Sequence, residues 1–248
     1  MQRYFVKECI GEQFIITGED HHHITRVMRL KDNDQILCTT LDGRSAVCSI
    51  AEITGENVIA NVVKWVEGTS ELPIKVTIAS GLPKGDKLEW VIQKGTELGA
   101  DKFIPFTAAR SVVKWDEKKS AKKVERWQKI AKEAAEQSHR SHIPVVEHPN
   151  SLKLLLEASI KFDYKLIAYE EDAKQGEVSI LANVLEKMQE GQSLIIVFGP
   201  EGGLTEEEVS LLRENGFMSC GLGPRILRTE TAPLYVLSAV SYHFELMR

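Results

Sequence analysis

The chain has 248 residues, of which 43% are apolar and 27% charged, with a formal net charge of −5. Those values describe an ordinary soluble globular protein, long enough to bury a sizeable core as one large domain or two small ones, and there is no low-complexity tract. There is no apolar run of about eighteen residues, and residues 1–13 lack the apolar core of a secretory signal. The expected compartment is therefore the cytoplasm, with no membrane partner. Cys9, Cys38, Cys48 and Cys220 lack paired spacing and have apolar neighbours, which favours free buried thiols over disulfides or a metal site.

Residues 1–70 alternate in short apolar runs: Tyr4 to Val6, Phe14 to Ile16, Gln35 to Cys38, Ala46 to Ile50 and Val58 to Val63. Asp42-Gly43 between two of these runs is a hairpin signal. Residues 20–30 read as a single helix, begun by Asp20 as its cap. The segment as a whole predicts a small β-rich barrel, and Glu67 to Pro73 is the expected linker. His21, His22 and His23 point in different directions on a helix and are not followed by ligands at HxxxH or HExxH spacing, so no metal is expected there.

From Ile74 the pattern becomes strand, helix, strand, helix. Apolar runs at 74–80, 102–106, 164–169, 193–198 and 217–222 alternate with helical stretches near 84–98, 120–138, 151–160, 177–188 and 205–214. This predicts an α/β domain over 73–248, a parallel sheet with helices on both faces. A last helix is expected from Pro233 to Met247, with Leu234, Leu237, Val240 and Phe244 at helical spacing. Residues 75–142 carry 15 Lys and Arg against 9 Asp and Glu, a basic middle in an otherwise acidic chain. Such a distribution fits a localised phosphate-binding surface. A solvated helix face is the alternative, and Lys118, Lys119, Lys122 and Lys123 belong in part to it.

Two glycine-bearing segments near the C-terminus hold the most chemistry. The first runs from Leu194 through Gly199-Pro200-Glu201-Gly202-Gly203 to Thr205 and three glutamates; the second is Cys220-Gly221-Leu222-Gly223-Pro224-Arg225-Ile226-Leu227-Arg228-Thr229-Glu230-Thr231-Ala232-Pro233. Each reads as a buried strand opening through a tight loop into a helix, and ligands of α/β sheets sit beyond such strand ends. Thr205 with Glu208 fits a capping box. Neither GxGxxG nor a Walker A loop is present, and Glu201 with Glu206, Glu207 and Glu208 would repel a pyrophosphate. An uncharged or cationic ligand such as an adenosyl sulfonium fits better, although the three glutamates after Thr205 also serve simply as helix-start charges.

These segments resemble the SPOUT class of RNA methyltransferases, and within it the RsmE group. So do Leu82 to Phe106, Arg110-Ser111, the run Glu133 to Arg140 and the N-terminal block His22 to Leu30, so that the likeness covers nearly the whole chain. The resemblance implies a PUA-like RNA-binding module in residues 1–70, a deep C-terminal trefoil knot, a homodimer, and methylation of N3 of a uridine in 16S ribosomal RNA or the small ribosomal subunit. It also implies S-adenosyl-L-methionine as cofactor, held by the end of the 164–169 strand, Gly199 to Gly203 and Leu222 to Ala232. The expected cofactor contacts are Gly199, Glu201, Gly202, Gly203, Leu222, Gly223, Ile226, Leu227, Thr231 and Ala232; plain core packing is the alternative for Leu222, Ile226 and Leu227.

Methylating N3 requires removal of its proton and stabilisation of the resulting anion. Arg228 is the candidate for electrostatics or base positioning, with a structural role beside the helix end as its alternative. Glu230 is the candidate base, with capping of the last helix as its alternative. Arg3, Arg26, Arg29, Lys84, Lys87, Lys94, Arg110, Gln137 and Arg140 are the candidate RNA contacts, with Arg26 and Arg29 sharing one helical face. Rival functions are ribose 2′-O methylation and a non-catalytic rRNA-binding assembly factor. A dinucleotide oxidoreductase is disfavoured by the missing phosphate fingerprint.

Overall fold

The computed structural model describes residues 1–111, 117–169 and 179–247, with side chains omitted at 117–119. Lys118, Lys119 and the first two residues of the helix expected at 177–188 therefore lie outside the described side chains or residues. The chain forms two compact units: Met1–Glu71 with Ala135–His142, and Leu72–Ala134 with Ile143–Arg248.

The first unit is a six-stranded curled sheet ordered β1-β4-β5-β6-β3-β2. Its strands are β1 (Arg3–Phe5), β2 (Glu8–Ile10), β3 (Gln13–Ile16), β4 (Gln35–Thr39), β5 (Ser45–Ile53) and β6 (Val58–Trp65). All neighbours are antiparallel except β1 and β4. The β4–β5 hairpin turns at Gly43, whose φ of 89° is one that only glycine adopts freely. Register shifts between Val47 and Cys48 and between Ile50 and Glu52 bend the β5–β6 ribbon. Alternate residues of the strands meet in one core that includes Tyr4, Phe14, Ile36, Cys38, Cys48, Ile50 and Val58.

Helix α1 (Gly18–His22) runs on into a π-helical turn, His23–Val27. The helix therefore starts after Thr17, and Asp20 lies in its first turn, which corrects the assignment of Asp20 as cap. His23 Nδ1 hydrogen-bonds with the Tyr4 hydroxyl at 3.0 Å, and His21 Nε2 lies 3.1 Å from the Thr54 carbonyl.

In the second unit every strand pairing is parallel, and the main path is β10-β8-β7-β12-β11-β13. These strands are β7 (Lys75–Gly81), β8 (Lys102–Thr107), β9 (Val145–Val146, beside β8), β10 (Asn150–Ser151), β11 (Tyr164–Ala168), β12 (Ser193–Phe198) and β13 (Met218–Cys220). The helices are α2 (Lys87–Glu97), α3 (Glu117–Gln137, whose residues from Ala135 on belong to the first unit), α4 (Leu152–Ser159), α5 (Ile180–Lys187), α6 (Glu206–Glu214) and α7 (Ala232–Ser241), the last continued by a π-turn over Tyr242–Leu246.

The continuous apolar runs are explained by burial on both faces. In β12, Leu194, Ile196 and Phe198 enter one core with Leu88, Ile92, Leu181, Val236 and Leu237, while Ile195 and Val197 enter another with Leu155, Val209 and Leu212. Helices α2, α3, α5 and α7 thus cover one face, and α4 and α6 the other. Each large side chain removed from water in this way contributes about 1.5–3 kcal/mol, so the sheet's carboxyl edge stands on a rigid support.

Candidate functional site

The strand order reverses at β12, which lies between β7 and β11 although it follows both in sequence. Register aligns Ser80, Phe198 and Ala168 across the sheet, and Ala168 with Cys220 beyond. The loops leaving β12, β11 and β13 therefore share one edge. A cavity of about 370 Å³ opens there, within the usual size of a small-molecule site. Its walls are Ala168 and Tyr169 after β11, Phe198 to Leu204 after β12, and Leu222, Gly223, Arg225, Ile226, Leu227, Thr229 and Ala232 after β13, with Arg110 joining from the β8 loop.

The loop after β12 is tightly folded. A Cβ on Gly199 would stand 3.0 Å from both the Gly203 carbonyl carbon and the Leu204 nitrogen. The Gly203 N–H donates to the Pro200 carbonyl at 2.8 Å, with Gly203 at φ +71°. On one side the Arg110 guanidinium donates to the Gly202 carbonyl at 2.9 Å and the Leu204 carbonyl at 3.4 Å. The expected capping box is present: the Glu208 N–H donates to Thr205 Oγ1, and the Thr205 N–H donates to Glu208 Oε2. Glu208 Oε1 also accepts from the Ala109 N–H at 2.8 Å, so the turn before Arg110 is fastened to the same loop.

On the other side stands Glu201. Its carboxylate accepts from the Lys84 N–H at 3.1 Å and from Lys87 Nζ at 2.8 Å. Burial alone would raise this carboxyl, but the Lys87 ammonium and the backbone N–H groups outweigh it and hold the group below the usual carboxylate range. The same contact with Glu201 raises Lys87. Lys87 Nζ also lies 3.7 Å from Glu230 Oε2, and Glu230 Oε1 lies 3.9 Å from Arg228. Glu201, Lys87, Glu230 and Arg228 thus form a chain of alternating charges from three connections.

The structure gathers Gly199, Glu201, Gly202, Gly203, Leu222, Gly223, Ile226, Leu227 and Ala232 around the cavity. Thr231 is instead the N-cap position of α7 and makes no side-chain cap bond. Arg228 and Glu230 do not line the cavity, but Thr229 between them does. The Arg228 carbonyl accepts from the Thr231 and Ala232 N–H groups while its side chain is 84% exposed. Glu230 Oε2 is buried and accepts no hydrogen bond, so the capping alternative finds no support among the described residues.

Several expected RNA contacts are engaged elsewhere. Arg3 is 6% exposed and donates to Thr39 Oγ1, Ser45 Oγ and the Arg140 carbonyl; Arg140 is 3% exposed and pairs with Glu71. At this exposure neither guanidinium offers an open face, although the buried Arg3 Nε has no hydrogen-bond partner among the described residues. Arg29 has φ 54° beyond the end of its helix and does not share a face with Arg26. Arg110 grips the loop carbonyls, Lys87 bridges two carboxylates, and Lys94 pairs with Glu97 at 2.8 Å. Arg26, Arg29, Lys84 and Gln137 are exposed. Pro200, Leu204, Arg225 and Thr229 line the cavity without having been singled out, and only their place within the two glycine segments could have marked them.

Residues 70–241 match the family model described as RNA methyltransferase domain, and residues 16–63 match the RNA methyltransferase PUA domain. The ribosomal RNA small subunit methyltransferase E of Bacillus subtilis is 58% identical, over 100% of this chain and 99% of that protein. The crystal structure of a ribosomal RNA small subunit methyltransferase E from Neisseria gonorrhoeae, bound to S-adenosyl methionine, superposes with TM-score 0.82 at 28% identity, covering 98% of this chain and 97% of that one. A solved chain described only as a hypothetical protein gives TM-score 0.93 at 54% identity, with both chains fully covered.

Proposed function

This chain belongs to the ribosomal RNA small subunit methyltransferase E family, and from that premise we propose that it transfers a methyl group from S-adenosylmethionine to N3 of a uridine in 16S ribosomal RNA. The observation that carries the reading is the cavity at the sheet's carboxyl edge, walled by the tight glycine loop and by the segment holding Arg228 and Glu230. The cofactor, when bound, supplies an activated methyl group on a sulfonium.

The walls suit such a ligand. Gly199, Gly202, Gly203 and Gly223 let backbone approach closely, Leu222, Ile226 and Leu227 offer apolar surface to an adenine, and Thr231 and Ala232 begin the helix behind them. Glu201 serves by fixing the loop, since its carboxylate is already spent on Lys84 and Lys87.

For the chemistry, Arg228 stabilises charge on the uracil oxygens. Glu230 accepts the N3 proton, leaving the nitrogen lone pair free to take the methyl group. In the same proposal RNA is contacted by the exposed Arg26, Arg29 and Gln137 of the first unit, and by the exposed Lys84 and half-buried Lys94 of the second. The substrate is 16S rRNA or the small subunit, reached in the cytoplasm, and no helix among the described residues is long and apolar enough to cross a membrane.

A homodimer belongs to this reading. Tyr235, Tyr242, Leu246 and Met247 expose large apolar surface on the last helix and its continuation, the kind of patch that a partner covers. The trefoil knot belongs to it as well, supported by the return of residues 221–231 to the edge shared by β11 and β12.

The test uses methyl-labelled S-adenosylmethionine and small ribosomal subunits that lack base methylation, with the RNA digested to nucleosides. Label in N3-methyluridine at one site is the expected result. Label in a 2′-O-methyl nucleoside overturns the specificity, and no label from a protein that binds the cofactor favours the assembly factor. Sedimentation of the wild type against Tyr242→Glu tests the dimer.

A further inference from the structure

Lys87 is the first residue of α2, where the helix dipole presents its positive end and a cation is disfavoured. A basic residue there breaks the local rule, and such breaks are expected where function or a tertiary partner compensates. The compensation is visible: Nζ stands 2.8 Å from Glu201 Oε1 and 3.7 Å from Glu230 Oε2. One ammonium thus joins the β7–α2 connection to the cofactor loop after β12 and to the segment after β13. Glu230 Oε2 is buried and accepts no hydrogen bond, so its charge is offset there by Lys87 across 3.7 Å. Glu201 is in turn fixed by the Lys84 N–H, which makes the Glu201 end of the bridge rigid.

We propose that Lys87 is a positioning residue: it ties the Glu230 carboxylate to Glu201 and so sets the proton acceptor against the cofactor loop, in place of the RNA phosphate contact that its charge first suggests. The inference rests on the role given to Glu230 above. A misplaced reacting group lowers rate steeply, whereas a lost phosphate contact weakens RNA binding and its salt dependence.

The test compares wild type, Lys87→Met, Lys87→Arg, Glu230→Gln and the Lys87→Met/Glu230→Gln double variant in single-turnover methyl transfer at saturating RNA and cofactor. Lys87→Met is expected to slow transfer by about tenfold while RNA affinity stays within about twofold, and Lys87→Arg, whose cation is retained, recovers most of the rate. The double variant is expected to be no slower than Glu230→Gln alone, because the two residues act as a unit. Losses that multiply, or reduced RNA affinity with an unchanged saturating rate, overturn the proposal.

Calorimetric binding of S-adenosylmethionine supplies a second readout independent of methyl transfer. Lys87→Met and Glu201→Gln should each weaken it by about threefold, and together by no more than either alone; additive losses overturn the bridge. Wild type with its product at another position would sink the N3 reading while these ratios still judged Lys87.

Discussion

Replacing Arg228 with Ala separates catalysis from stability, because the structure predicts opposite magnitudes for the two. The side chain is 84% exposed, and the only ion pair the described residues give it is the 3.9 Å approach to Glu230. An exposed pair of that kind contributes about 0.5 kcal/mol. For a chain of this length the melting temperature should then fall by only about 1–2 °C. The backbone of Arg228 accepts the first N–H groups of α7, and alanine keeps that carbonyl. Removing a group that stabilises developing charge, in contrast, slows the chemical step by about 10²–10³, or about 3–4 kcal/mol in the barrier. The assay is single-turnover transfer from labelled cofactor to undermethylated small subunits, with cofactor affinity measured by calorimetry in parallel. Expected are a rate loss of about two orders of magnitude or more and a cofactor Kd within about threefold of wild type. A parallel loss of cofactor affinity and rate would show Arg228 to be structural and refute the reasoning.

Other substitutions probe the loop after β12 and the Glu208 and Glu71 carboxylates. In Gly199→Ala the new methyl meets backbone atoms at 3.0 Å; the loop must open, and calorimetry should show cofactor binding weakened by about tenfold or more with the fold retained. Glu208→Ala leaves the Thr205 and Ala109 N–H groups without their acceptor. That should cost about 2–4 kcal/mol and lower the melting temperature by roughly 5–12 °C, with an unchanged melting curve as the contrary result. Burial pushes the Glu71 carboxyl up, but Arg140 and the Ser141 and His142 N–H groups outweigh it and hold the group below the ordinary carboxylate value of 4.5. A depressed folded-state pKa gives stability that is present above the unfolded value and lost as pH falls through the folded one. Stability of the wild type should therefore fall below about pH 4.5 more steeply than that of Glu71→Gln; identical acid limbs in chemical unfolding would remove Glu71 from that account.

The parts of the fold legible in the sequence are those fixed by neighbouring residues. The β12 run Ser193–Phe198 reads as a buried strand because both its faces meet a core. The Thr205–Glu208 box is readable because cap and partner stand three residues apart. Gly199, Gly202 and Gly203 are readable as a tight loop at the end of such a strand, and they line the cavity there. The short strands β2, β9 and β10 are not, since two or three residues carry no period. Arg3 and Arg140 read as RNA contacts because charge normally signals surface. Their burial follows from partners far away in sequence: Thr39 and Ser45 for Arg3, Glu71 for Arg140. Arg29 misled in a simpler way, since a left-handed residue ends the helix that would have aligned it with Arg26.

By itself the sequence determined the alternation of strands and helices, the apolar faces and the two glycine segments, all set by local sterics, period and capping. Tertiary structure decided which charges meet. Lys87 and Glu201, 114 residues apart, come within 2.8 Å only because β7 and β12 are neighbours in the sheet. Parallel strands are joined by long crossovers, so adjacency at their carboxyl edge is a property of strand order, which no local period encodes. The same order lets Arg110 donate to the Gly202 carbonyl, and brings the ends of β11, β12 and β13 around one cavity.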